Sequence, residues 1–113
     1  MQPGSSEGIN DRMEAIVLLN HRGEIVFVTD AVLAICGYDR RELVGKCFFD
    51  FFQEKNLPLR YESIVAQANL TLGVVFRMKT KCGRVIGVEL TIRNLLHLPD
   101  PGGVVVTVRR LTS

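Results

Sequence analysis

Apolar and polar residues follow one another in two rhythms along this chain. Near both ends the period is two, as in strands; in the middle it lengthens to three or four, as in helices. AIVLLN (15–20) and EIVFVT (24–29) are β-branched runs around the glycine turn HRG and predict a hairpin. Asp30 then predicts a helix cap, Val32, Ile35 and Cys36 share one helical face, and Gly37 stops the turn. DRRE (39–42) has the form of a capping box with Asp39 in the Ser/Thr place, and Gly45 ends that turn. In FFDFF (48–52), Phe48 and Phe52 lie four apart on one stripe, while Asp50 points to water. NLPLRYESIVAQANL (56–70) predicts the longest helix. Asn56 is its cap, and Leu57, Tyr61, Ile64, Val65 and Ala68 form its apolar stripe. Arg60, Glu62, Ser63 and Gln67 fall on the opposite face.

The remainder alternates. Val74, Phe76 and Met78 oppose Val75, Arg77 and Lys79; Ile86, Val88, Leu90 and Ile92 oppose Gly87, Glu89, Thr91 and Arg93. KCG (81–83) is the turn between them, HLPDPGG (97–103) is a loop, and VVVTVRR (104–110) is a last strand. The order β-β-α-α-α-β-β-β, with one apolar and one mixed face per strand, predicts an α+β fold. One antiparallel sheet carries helices on one side.

The 113 residues make a single domain, expected over 13–113, behind a polar, flexible leader at 1–12. A chain of this size buries roughly two thirds of its unfolded surface, enough for a core without staples. A net charge of +2 with no basic run gives no footprint for nucleic acid. No apolar run approaches a membrane span, and no charged start leads into an apolar stretch as in a signal peptide. The cysteines, Cys36, Cys47 and Cys82, are far apart and form no C-x-x-C pair. Reduced thiols in a cytoplasmic setting are the expectation, and no metal site is expected.

These words in this order resemble the PAS domain, a sensory module of signalling proteins. CGYDRRELVGK (36–46) looks like the middle segment of that family, where Gly-Tyr precedes Glu-Leu and Gly-Lys. Asp30 sits where the family has an Asn or Asp cap. FRMKTKCGRVIGVELTIRNLL (76–96) resembles its central hairpin, and PGGVVVTVRRLT (101–112) resembles the bacterial ending Arg-Asp-Ile-Thr. The resemblance covers Met13 to Thr112. It implies a five-stranded antiparallel sheet of order 2-1-5-4-3 and a sensor or interaction role within a larger bacterial signalling protein, such as a two-component histidine kinase or a cyclic-dinucleotide regulator. It also implies signal output through Arg110 and Thr112, with Arg110 standing in place of the family's Asp.

The family's chemistry is then tested against these residues. A covalent flavin needs a cysteine within Asn-Cys-Arg-Phe-Leu-Gln; Cys47 is one place early and lacks those neighbours. Noncovalent flavin stays open. Haem is held by a histidine on the long helix, and 56–70 contains none; His21 and His97 fall in turns. No cofactor is therefore expected, and no catalytic residue, because no acid, serine or histidine group converges in a cleft. The phenylalanines are expected to fill the space under Phe76, Met78 and Leu90. A small apolar ligand can still enter a pocket formed by Ile35, Phe48, Phe52, Ile64, Phe76, Met78 and Leu90. On the outer sheet face, Val75, Gly87, Val105 and Thr107 form a partly apolar strip flanked by Arg77, Lys79 and Arg109. It suits a homodimer, with flanking helices as a second route, or contact with an output domain. A ligand-free dimerisation module is the alternative function. A small α+β enzyme is a third, and it would need an inward-pointing acid that the pattern does not supply.

Overall fold

The computed structural model describes residues 14–100 and 102–111. The expected leader and Thr112 lie outside them. Five strands form one antiparallel sheet: β1 (Glu14–Leu19), β2 (Ile25–Val28), β3 (Thr71–Lys79), β4 (Val85–Asn94) and β5 (Val104–Arg110). Their spatial order is β2-β1-β5-β4-β3, the expected one. The first and last strands lie side by side at its centre, Val17 facing Val106. The alternation decides the faces. Ala15, Val17, Leu19, Val88, Leu90, Ile92, Val104, Val106 and Val108 are buried on one side of the sheet. Each of these valine, leucine and isoleucine side chains contributes about 1.5–3 kcal/mol by leaving water.

Three short helices cover that side: α1 (Val32–Cys36), α2 (Arg40–Leu43) and α3 (Leu57–Val65). Gly37, at φ 84°, closes α1. The capping box of α2 is complete: the Asp39 carboxylate accepts from the Glu42 backbone N–H, and Glu42 accepts from the Asp39 N–H. Two expected caps are absent. Asp30 does not cap α1, whose N-cap is Ala31; its carboxylate pairs instead with Arg40 at 2.7 Å. Asn56 precedes α3 in the left-handed region, φ 63°, and its side chain makes no cap bond. This conformation turns the chain sharply into the helix, a task Asn tolerates better than most residues.

The long helix expected to Leu70 ends at Val65, and Ala68 is exposed rather than part of its stripe. The cause lies far along the chain. Asn94, 1% exposed at the end of β4, donates its side-chain amide to the carbonyls of Ile64, Val65 and Gln67. The last carbonyls of a helix lack partners of their own. Asn94 supplies one and fixes the exit of the chain. Its backbone N–H also donates to Leu70 O, and its backbone carbonyl accepts from the Asn69 N–H.

Between α2 and α3 the phenylalanine run forms a 3₁₀ turn, Phe48–Phe51. Residues 45–54 act as a strap. At one end, Gly45 and Phe48 donate to carbonyls of Ile25 and Gly23, and Ile25 donates to Lys46. At the other, Phe52 pairs with Met78 and the Gln53 N–H donates to Arg77 O. β2 and β3 are the two edges of the sheet. The strap therefore crosses the sheet from edge to edge and occupies backbone groups that open edges would expose.

Candidate functional site

The strap, α3 and the sheet enclose a cavity of about 350 Å3. Its floor is Leu90, Ile92 and Val106 from the sheet, its roof Phe48, Phe49 and Phe52 from the strap, and one wall Leu57, Tyr61 and Ile64 from α3. Phe48 and Phe52 meet edge-on at 4.9 Å between centroids, as do Phe52 and Phe76 at 5.8 Å, while Phe49 and Tyr61 are tilted at 5.0 Å. Such contacts add about 0.5–1.5 kcal/mol per pair. The exposed lining residues Arg60, Ser63, Gln67 and Leu72 mark the mouth.

Five of the seven side chains expected to line a pocket do so: Phe48, Phe52, Ile64, Phe76 and Leu90. Met78 is buried, but its backbone is bonded to the strap and its side chain does not reach the cavity. Ile35 is buried on α1 and borders a different, shallower cleft. Phe48 and Phe52 belong to the core, with Phe49 and Phe51 packed against it, and Phe48, Phe49 and Phe52 also border the cavity. The sequence reading missed Arg60, Ser63 and Gln67, which it placed on the solvent face of the helix. They stand at spacings of three and four, a stripe that borders the mouth once α3 tilts over the sheet.

The Tyr61 hydroxyl donates to Asn20 O at 2.8 Å, and burial pushes its phenol pKa up. Among the described residues no buried side-chain nitrogen or oxygen lacks a hydrogen bond. Among the described residues no His, Cys or Met lines the cavity, and Cys47 lies outside the lining. Groups of three or more His, Cys, Asp or Glu able to hold a metal ion are absent among the described residues.

The shallower cleft lies between α1 and the β3–β4 turn, bordered by Cys36, Thr80, Lys81, Cys82, Arg84 and Arg110. Arg110 follows Val106 and Val108 on the helix side of the sheet. It therefore faces the end of α1 rather than open solvent on the far side. Cys36 is buried, and desolvation pushes its thiol pKa up. Cys82 is exposed, and hydrogen bonding with Thr80 and then with the Arg84 backbone holds its thiol below the ordinary value. Lys81 closes the cleft by donating its backbone N–H to Cys36 O and its ammonium to Glu42 at 2.6 Å.

The outer face differs from the expected strip. Val75 is 61% exposed, but the Arg109–Glu89 ion pair separates it from Val105. Gly87 and Thr107 are half-buried, and Leu111 rests on Gly87. The continuous apolar patch lies toward the other edge, where Ile16, Leu18, Phe27 and Val105 gather through the β1 register.

The family model of the PAS fold matches residues 8–111. No curated protein matches the chain. Among solved structures, it is similar to the PAS domain of an HTR-like protein from Haloarcula marismortui. The TM-score is 0.70 at 16% identity, covering 96% of this chain and 88% of that one. A domain of a sensory box sensor histidine kinase/response regulator from Geobacter sulfurreducens gives 0.72 at 17% identity, covering 94% and 91%. The PAS domain of a LuxR-family transcriptional regulator from Burkholderia thailandensis, a complex with ethanol, gives 0.67 at 19% identity, covering 96% and 97%. Among the described residues no helix is long and apolar enough to cross a membrane.

Proposed function

This chain belongs to the PAS family, a sensory and regulatory fold, and from that premise we propose that it senses a small, largely apolar ligand held between α3 and the sheet. The observation that carries this is the cavity: about 350 Å3, within the range of small-molecule sites, roofed by aromatic rings packed on one another. Occupancy favours one position of α3 and the strap. β5 runs under the cavity through Val106 and ends at Arg110, beside α1. A shift of the roof thus reaches the end of the domain, where a larger signalling protein carries its kinase or regulator part. The ethanol complex of the Burkholderia thailandensis domain supports the idea that a fold of this kind admits small molecules. The domain works without a prosthetic group and in the cytoplasm. A ligand can shift such an equilibrium only by its differential affinity for the two arrangements.

The test is relaxation-dispersion NMR with and without a neutral apolar probe such as decanol. We expect exchange broadening at Phe48, Phe52, Ile64 and Arg110 that decanol quenches. A spectrum free of exchange and untouched by decanol would sink the proposal. A second reading, a homodimer formed through the sheet face, is favoured by the exposed patch around Ile16 and Phe27. It does not exclude the first.

A further inference from the structure

We propose that the cavity selects an anionic amphiphile: a hydrocarbon tail inside, and a carboxylate at the mouth against Arg60. This rests on the cavity being a ligand site and adds the chemical class of its occupant.

The interior dictates the tail. Leu90, Ile92, Val106, Phe48 and Phe52 give it apolar walls, and the hydroxyl that Tyr61 brings to the wall is spent on Asn20. A polar group carried inside would leave its water partners and find none, which is costly. Taking the ~30 Å3 that a water molecule occupies in the liquid as a unit, the space holds about ten methylene-sized groups.

The mouth dictates the head. Arg60, Ser63 and Gln67 border it, and Glu62, between them in sequence, does not. Among the described residues the mouth therefore carries a cation and no acid. Arg60 forms no ion pair among the described residues, whereas Arg40, Arg77, Lys81 and Arg109 each do. Its guanidinium stands 5.2 Å over the Phe76 ring, so a lining aromatic holds the charge at the opening rather than out in solvent. A guanidinium so placed offers paired donors that match a carboxylate.

The experiment uses the whole chain and displacement of a neutral fluorescent dye, N-phenyl-1-naphthylamine, by decanoate, decanol and decylammonium. We expect decanoate to displace the dye at about fivefold lower concentration than decanol, the scale of a charge-assisted contact at a partly solvated mouth, and decylammonium to be weakest. Arg60→Gln removes the preference for decanoate, and Arg60→Glu transfers it to decylammonium. Arg60 is exposed, so both variants keep the fold, checked by an unchanged unfolding midpoint. Equal potency of decanoate and decanol, or a preference that survives Arg60→Gln, overturns the assignment of the head while leaving the cavity a ligand site. Failure of the dye to bind, with no displacement by any of the three, overturns both.

Discussion

At the scale of the residue, Asn94 controls more than its neighbours do. It is a buried amide in a strand of otherwise apolar inward positions, and it ends α3 by taking the carbonyls of Ile64, Val65 and Gln67. Removing one partner of a buried bond costs more than the bond is worth, because the other is left dry. Asn94→Ala is therefore expected to lower stability by about 2–3 kcal/mol in urea unfolding, with the slope unchanged. A loss below about 0.5 kcal/mol, the size of an ordinary surface change, would show that the helix end holds itself. The inner face read from RVIGVELTIRN ends at Ile92, and the same alternation carried one step further reaches Asn94. Which carbonyls it meets depends on a segment about thirty residues earlier, and no local pattern shows that. The same reason hid the role of Arg60. Helical spacing separates the polar side of α3 from its apolar side, but the border between them lies at the mouth only after docking.

At the scale of the element, the helices are short and held by their connections. α2 has four residues, fewer than an isolated helix needs to form. Its capping box and the Glu42–Lys81 contact fasten it to the β3–β4 turn. The hydrogen bond from Lys81 holds the Glu42 carboxyl below its ordinary value, and the same contact raises Lys81. The sign follows from that direction. A depressed carboxyl stabilises the fold above its unfolded value, close to 4.5, and the contribution is lost as pH falls through the lowered folded value. Thermal unfolding from pH 7 down to pH 3 should show an acid-dependent loss that shrinks in Glu42→Gln. An identical profile in the variant would remove this contact from the account. Gly23 shows how an element is placed by a missing side chain. At φ 83° it lies against Phe49, whose ring would stand 2.5 Å from an added Cβ. The sequence reading took it as a turn glycine; its second task, making room for the strap, follows from packing alone.

At the scale of the whole molecule, a sheet covered on one side must present the other to something. Its outer face is mixed, and the apolar part gathers at Ile16, Leu18, Phe27 and Val105, away from the Arg109–Glu89 pair. If two copies meet there, Ile16→Lys should weaken self-association by about tenfold or more in sedimentation equilibrium, as a buried unpaired charge would. A wild-type chain that sediments as a monomer at all concentrations removes that reading. The sequence by itself determined the α+β class, the inward sets of β3 and β4, the turns and the family resemblance. Alternation and glycine placement are local signals, and one face of each strand had to leave water. Tertiary structure alone decided that the phenylalanine run crosses the sheet as a strap, that a void stays beneath it, and that Arg60 stands at its entrance. These follow from how elements distant in sequence are pressed together, because close packing depends on shapes meeting across a gap and hydropathy carries no record of that shape.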